Sequence, residues 1–406
     1  MRYWWAALAV TLPTLAAAEE ARPISFAEAR AVAQKLGPDV LSAERREGVA
    51  EADVAVAGTW ANPTVSLGSA TLTAHVTAGI AAPLPIFGQV STQVDAARAS
   101  LAATRWGTVH ARAEARWGAT VAWIDLHEAA ERARVLAETA ADADRVKAAA
   151  DQRFAAGTAP RIDVVRAGAD RARARAEAAA AEADVRAASA RLASFLGLAD
   201  TTGLRPAGGI EYPRRLPAAD ALLAGLDAHP AVRRDRAEID AAGARVRAEQ
   251  RQRIPVLVPS VTVSAVDPTQ PGTDVIFGLS FDVPLFNFHG GAIARARAEE
   301  AQARTAATVE RRKLASDLRD AVERAGGAGA KRDALETEVL PAMTEARRMT
   351  EDAYRDGRVD LTRLIEAERA LLDSRGALVD AEAVWARAVA DVERAAGRLE
   401  GAGDAR

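Results

Sequence analysis

The feature that most constrains this chain is that it repeats itself. A series of elements recurs in one order with a period of about 200 residues, much longer than a stacked solenoid unit. Each copy opens on a short amphipathic helix. The first runs from Phe26 to about Ala57 with Gly37-Pro38 inside it, and the second from Ala218 to about Arg251 with His229-Pro230 inside it. A Pro-bearing turn follows, Asn62-Pro63 and then Val258-Pro259. Extended segments come next and end in Pro85-Ile86-Phe87-Gly88 and Pro284-Leu285-Phe286-Asn287. Halfway along each copy, Phe154-Ala155-Ala156-Gly157 matches Tyr354-Arg355-Asp356-Gly357. In the same register Val164 matches Leu364, Ala167 matches Ala367, and Gly197 matches Gly397. An ordered series in one register is duplication of a whole domain half.

Within each copy the longest tract is helical. Gly88 to Arg153 contains no proline, and about 66 helical residues would measure roughly 99 Å. Such a helix needs partners along its whole length, as in a coiled coil or a helical tube. A return helix is predicted from about Ile162 to Leu196, its buried face mostly Ala with Val165, Val185, Leu192 and Phe195 as larger anchors. Copy two repeats this from about Gly291 to Tyr354 and from Leu361 to Leu399. There, Gly326-Gly327-Ala328-Gly329 and Pro341 are expected to weaken or bend the outgoing helix. Aromatics make up only 4% of the 406 residues, which suits Ala-rich helices lying close together.

The extended segments alternate with period two. Val275, Phe277, Leu279, Phe281 and Val283 fall on one face, and Ile276, Gly278, Ser280 and Asp282 on the other. Val261, Val263 and Ala265 alternate with Thr262 and Ser264, across a polar loop from Asp267 to Gly272. In copy one Val65 and Leu67 alternate with Thr64, Ser66 and Gly68. Val76, Ala78, Ile80 and Ala82 then alternate with Thr77, Gly79 and Ala81. Each copy therefore supplies one hairpin. About ten residues suffice for a tilted strand to cross a bilayer. Four strands cannot close a barrel that passes solute, because an eight-stranded barrel is already filled by side chains. If these strands span a membrane, several chains must pool them.

The N-terminus reads as a signal peptide over residues 1–18: Arg2, an apolar run from Tyr3 to Leu15, then Ala16-Ala17-Ala18 before Glu19. A net charge of −3 with interspersed signs lacks the basic face that nucleic acid requires. There is no cysteine, which excludes disulfides, thiolate metal sites and a lipid-modified N-terminal Cys. His75, His110, His127, His229 and His289 show no metal-ligand spacing, and no nucleotide-binding or nucleophile-elbow motif occurs. No cofactor, metal, catalytic residue or enzymatic activity is expected. A soluble periplasmic coiled-coil scaffold stays open on helix periodicity alone; the hairpin pair is what such a scaffold would not need.

The order of elements resembles the TolC family of outer-membrane factors over nearly the whole mature chain. The most specific pieces are Phe154-x-x-Gly157 followed by Ile162-Asp163-Val164, and Tyr354-x-x-Gly357 followed by Leu364-Ile365-Glu366-Ala367. The compact length and missing lipid-bearing Cys are most similar to its CzcC-like, heavy-metal branch. The resemblance implies a mainly α fold with a small β part, in which duplicated long-helix hairpins form an α-helical barrel. Four strands per chain would join a trimeric twelve-stranded transmembrane β-barrel, with Val275, Phe277, Leu279, Phe281 and Val283 facing lipid.

The expected division is a first repeat over 19–197, with a β-hairpin at about 62–85 and a helical hairpin at about 88–196. A linker over 198–217 follows, then a second repeat over 218–397 with a β-hairpin at about 259–284 and a helical hairpin at about 291–397. Residues 398–406 are expected to form a disordered tail. By the same resemblance the chain is a homotrimer in the outer membrane of a Gram-negative bacterium, with a large periplasmic portion. It would act as the passive exit duct of a tripartite efflux system for small solutes, drugs or heavy-metal cations. Its partners would be a periplasmic adaptor, an inner-membrane RND-type pump and outer-membrane lipid. A duct for type I protein secretion fits the same pattern. Phe154, Gly157, Tyr354 and Gly357 would form the tunnel tip where the adaptor docks. Asp163 and Arg363 occupy equivalent positions of the two repeats, so opposite charges there can pair between neighbouring hairpins and narrow the entrance, with Arg161, Arg358 and Asp360 beside them.

Overall fold

The computed structural model describes residues 21–70, 75–198, 203–267, 270–282 and 288–397. The signal-peptide and tail expectations, together with Val283 and the Pro284–Asn287 exit, lie outside the described residues. The first repeat runs β1 (Arg22–Ser25), α1 (Phe26–Leu36), α2 (Pro38–Ala57), β2 (Thr64–Ala70), β3 (His75–Ala81), α3 (Gln89–Ala155) and α4 (Arg161–Phe195). β4 (Leu204–Ala207) lies in the linker. The second repeat comprises α5 (Ala219–Ala224), α6 (Pro230–Arg251), β5 (Leu257–Asp267), β6 (Gln270–Phe281), α7 (Gly290–Ala334), α8 (Leu340–Arg355) and α9 (Leu361–Ala396).

The opening helix of each copy is two elements, not one. Gly37 and His229 both adopt an extended ψ of 134°. A residue before proline is pushed out of the helical region, while proline itself suits the first helical position. Gly37-Pro38 therefore ends α1 and starts α2. His229-Pro230 starts α6 behind a short 3₁₀ turn at Leu226–Ala228. The matched glycines Gly197 and Gly397 are both left-handed, with φ of 68° and 78°. Each lies against its own repeat's proline break. A Cβ on Gly197 would sit 2.7 Å from the Leu36 carbonyl oxygen, and one on Gly397 would sit 2.8 Å from the His229 ring.

α3 is unbroken over 67 residues, about 100 Å. Its partner α4 buries Ala167, Ala174, Ala181 and Ala188. That spacing of seven is the period of a left-handed supercoil, and Ala lets the two axes approach closely. Of the four expected anchors, Leu192 is buried and Val185 packs against the core, whereas Val165 and Phe195 are exposed. A face made mainly of Ala closes most of the seam; Val165 is left outside, and the half-exposed Phe195 ring lies over Gly118 of α3. In copy two the glycine run stays helical within α7. The irregularity falls at a π-helical turn, Leu335–Val339, where the Leu340 N–H reaches back to the Leu335 carbonyl. Pro341, one residue further on, offers no N–H and crowds the preceding turn, and widening the helix there relieves both.

Four of the scarce aromatics gather at one level, where the repeats and the linker meet. Phe26 stands edge-on to Trp123 and to Tyr212, with centroids 5.2 Å apart in each case, and Tyr212 stands edge-on to Trp385 at 6.4 Å. The Trp123 indole donates to the Ile24 carbonyl at 3.0 Å. β1 pairs in parallel with β4, Ile24 beside Pro206, and so ties the start of the first repeat to the linker. Inside this core Glu393 accepts hydrogen bonds from Arg30, Arg116 and the Tyr212 hydroxyl. Burial and the Glu393 charge push the Tyr212 hydroxyl far above its ordinary range, so it stays a donor. Further ion pairs run along the α3–α9 seam: Glu114 with Arg394 at 2.6 Å, Asp125 with Arg387 at 2.9 Å, and Glu138 with Arg375 at 3.5 Å.

Two outcomes follow. Gly197→Ala should lower stability by about 1–3 kcal/mol, because its Cβ meets backbone. Gly107→Ala, where a Cβ meets nothing within 4 Å, should be neutral or stabilising. Thermal unfolding of the two purified variants compares them directly. His110, beside His229 where α6 meets α3, is held below the ordinary imidazole range by burial first and then by Arg234, with Glu114 opposing. The folded state therefore refuses a proton that the unfolded chain accepts. Stability should be fully present above about pH 6.5 and fall as pH drops below it. Loss of that acid dependence in His110→Gln, seen in denaturation midpoints between pH 5 and 8, checks the assignment.

Candidate tunnel tip and membrane-facing sheet

At one end of the molecule two helix hairpins turn in the same way. α3 ends with the Gly157 N–H bonded to the Phe154 carbonyl at 3.0 Å and the Thr158 N–H bonded to the Arg153 carbonyl at 2.9 Å. α8 ends with the Gly357 N–H bonded to Tyr354 at 3.0 Å and the Arg358 N–H bonded to Ala353 at 2.8 Å. Both glycines are left-handed, with φ of 72° and 71°. This is the Schellman C-cap, which satisfies orphan carbonyls at the cost of one residue that only glycine adopts easily. Phe154 is exposed and Tyr354 half-buried.

The two tips touch. Leu361 and Leu364 of α9 pack with Ala150 of α3 and Ala167 of α4. The Arg153 guanidinium lies 4.5 Å over the Tyr354 ring. Arg166 donates to the Thr362 hydroxyl at 2.9 Å, and Arg369 pairs with Asp170 at 2.5 Å. Of these residues Tyr354, Leu364 and Ala167 stand at positions the sequence marks; Arg153, Arg166, Thr362, Asp170 and Arg369 do not, and their only signal is the shared register of the two repeats. The charges that were singled out act locally. Asp360 caps α9 by accepting the Arg363 N–H at 3.0 Å, Arg363 pairs with Glu366 at 3.2 Å, and Arg358 pairs with Asp356 at 2.5 Å. Asp163 and Arg363 are not paired with each other within one protomer, and Arg161 at the start of α4 is exposed.

At the far end the two hairpins fuse into one antiparallel sheet, in the order β2-β3-β5-β6. The joint is β3 against β5, with Ile80 opposite Val261. Register makes the faces chemically distinct. Val65, Ile80, Val261 and Phe277 form one cross-strand row, and Leu67, Ala78, Val263 and Val275 form the next. The opposite face carries Ser66, Gly79, Thr262 and Ile276, then Gly68, Thr77, Ser264 and Asp274. No layer covers the apolar face among the described residues: Phe277 and Leu67 are each 80% exposed and Leu279 63%. Among the described residues β2 and β6 have no outer strand neighbour. Leu279 and Phe281 share the face of Phe277, leaving Val283 as the one member of that series outside the described residues.

Where the sheet joins the helices, Trp60, Ile86, Phe87 and Phe288 are all exposed. Aromatic residues at such a rim suit a membrane–water boundary. The joint is held by Gln89, a buried residue that sequence reasoning missed. Its Oε1 accepts the Phe87 N–H and its Nε2 donates to the Ile254 carbonyl, both at 3.1 Å, linking the exit of one hairpin to the approach of the other. His289 is the left-handed residue just before α7, in the loop position expected of it. No helix among the described residues is long and apolar enough to cross a membrane. Those residues contain no cluster of His, Cys, Asp or Glu suited to a metal ion.

Comparison with known proteins bears on both ends. The sequence profile of the outer membrane efflux protein family matches residues 29–198 and 224–398, one segment per repeat. No curated protein matches the chain. Among solved structures the fold is similar to that of CusC, studied for transmembrane channel formation, with 15% identity, a TM-score of 0.76 and 92% of each chain covered. It is also similar to the Campylobacter jejuni CmeC outer membrane channel, with 13% identity, a TM-score of 0.74, and 93% of this chain and 87% of that one covered. The Vibrio cholerae outer membrane protein VceC aligns with 17% identity and a TM-score of 0.73, over 92% and 96% of the two chains.

Proposed function

Because the chain belongs to the outer membrane efflux protein family, a family of TolC-like channels and not of enzymes, we propose that it is the exit duct of a tripartite efflux system. Three protomers pool their sheets into a twelve-stranded barrel in the outer membrane and their helices into a periplasmic tunnel. The observation that carries this reading is the sheet itself. It is apolar on one face, hydroxyl-lined on the other, uncovered on both and open at both edges. In water such a surface aggregates. Lipid against the apolar face, water against the polar face and a neighbouring strand at each edge satisfy every group at once. A helical scaffold has no use for it.

The division of labour follows the same geometry. The duct supplies a continuous aqueous path and turns over nothing. The driving energy comes from an inner-membrane pump of the RND type, and a periplasmic adaptor docks at the tip turns around Phe154, Gly157, Tyr354 and Gly357. The substrates are small solutes, drugs or heavy-metal cations. In the ring, Asp163 of one hairpin approaches Arg363 of a neighbouring hairpin, with Arg161, Arg358 and Asp360 around them, and the pairing narrows the entrance. Each exposed pair contributes only about 0–1 kcal/mol, which suits a contact that must break when the pump docks.

Phe277→Lys should place a charge on the lipid face at a cost of about 2–4 kcal/mol at mid-bilayer, repeated in each protomer. Outer-membrane fractionation should show the variant depleted from the carbonate-resistant fraction, while Ser280→Lys on the polar face remains there. Release of the unaltered protein by carbonate would overturn the duct reading. For the entrance, Asp163→Arg and Arg363→Asp should each raise single-channel conductance, and the double exchange should restore the narrow state. Unchanged conductance in all three removes the gate.

A further inference from the structure

The sheet-forming segments carry an unusual charge pattern. Between Asp53 and Asp95, and again between Arg253 and Arg295, there is no lysine or arginine at all. At the chain's average of 53 in 406, these two runs would hold about eleven. Their only carboxylates are Asp267, Asp274 and Asp282. Avoidance of charge by lipid accounts for the apolar face. It does not account for the polar face, where water solvates a lysine as readily as an aspartate.

Register assigns Asp274 to that polar face. It stands opposite Ser264, which stands opposite Thr77, which stands opposite Gly68. Thr262, Ser66, Ser260 and Thr64 continue the same side in neighbouring rows. Asp274 is exposed, and no ion pair holds it among the described residues. It lies near the β5–β6 turn, at the end of the sheet remote from the helices, about 24 Å along the strand from Phe281. Asp282 has the same parity, one residue beyond β6, at the helical end.

We propose that Asp274 is a specificity-determining residue of the duct, making its outer mouth prefer cations, so that the solutes it passes most readily are cationic. The inference rests on the duct reading above. Asp274, once per protomer at the outer end of an aqueous bore, with a low-dielectric wall behind it and no lysine or arginine in the sheet-forming segments to offset it, sets a negative potential there that concentrates cations and repels anions. Hydroxyls and glycines, with Ile276, make up most of the rest of that wall and build no closed site around a solute. Asp274 therefore sorts solutes by charge without binding them.

The test is electrical. The full-length protein is reconstituted in planar bilayers of uncharged lipid, and the reversal potential is measured across a tenfold KCl gradient. The wild-type channel is expected to favour potassium over chloride. Asp274→Asn should reduce the permeability ratio at least about twofold, Asp274→Glu should keep it, and Asp274→Lys should move it toward chloride. The preference should be larger near 0.01 M salt, where the screening length is about 30 Å, than near 1 M, where it is about 3 Å. A wild-type channel that conducts without cation preference, or an Asp274→Asn channel with an unchanged reversal potential, overturns the proposal and leaves the duct standing. Wild-type protein that inserts no conductance at all overturns the duct reading itself.

Discussion

Among the described residues the sheet has two uncovered faces and two open edges, and the rest of the structure is arranged around that deficit. Backbone groups at the edges of β2 and β6 must find partners or remain exposed. The apolar rows led by Phe277 and Leu67 must find lipid or another apolar surface. Supplying either from within would take further strands or a covering helix, and the chain spends those residues elsewhere. It builds helices about 100 Å long that hold the sheet at one end of a rod. Assembly and membrane insertion are therefore one requirement: the contacts that close the edges are those that place the apolar face against lipid.

The rod needs one place where its parts are locked, and the buried carboxylate of Glu393 marks it. Arg30 comes from the first short helix, Arg116 from α3, Tyr212 from the linker and Glu393 from α9. A buried carboxylate without partners would be strongly unfavourable. With two guanidiniums and a hydroxyl it instead specifies one arrangement of four segments far apart in sequence. The aromatic cluster of Phe26, Trp123, Tyr212 and Trp385 supplies apolar burial around it. Elsewhere the helices need only Ala at every seventh position and ion pairs along the seam, which is why so few large side chains suffice for so long a chain.

Local signals were legible in the sequence and long-range ones were not. The alternation from Val275 to Phe281 is a property of consecutive residues, so strand and face could be read directly. Gly157 and Gly357 announced turns because few other residues tolerate a left-handed backbone. The joining of the two hairpins through Ile80 and Val261 was not legible, since either hairpin's alternation is satisfied without the other. The pairing of β1 with β4 was hidden for the same reason, as Arg22–Ser25 and Leu204–Ala207 are too short to alternate convincingly. Val165 and Phe195 were misassigned to the buried face because size was taken as the guide, while the seam is built on Ala167, Ala174 and Ala181. The irregularity of the outgoing helix was legible at Pro341, which removes a donor and forces a local rearrangement, but not at the glycine run, which merely lowers helix propensity and stays helical.

Duplication explains where the functional information sits. For two halves to lie side by side in one tube, their shared features must be the ones that build walls: the proline breaks, the long helices, the left-handed tip glycines and the alternating strands. The residues proposed above to sort and to gate are among the differences. Three of those differences fall at the two ends and at one level between them. The tip has Asp163 in one half where the other has Arg363. The helix that is continuous as α3 is interrupted between α7 and α8. The polar wall has Thr77 and Gly68 in the first hairpin, beside Ser264 and Asp274 in the second. In a ring these departures alternate around the axis, so a charge present in only one half still encircles the path, once per protomer. The sign of the wall is set by the charges on it, and in the described strands Asp274 has no counterpart in the first hairpin.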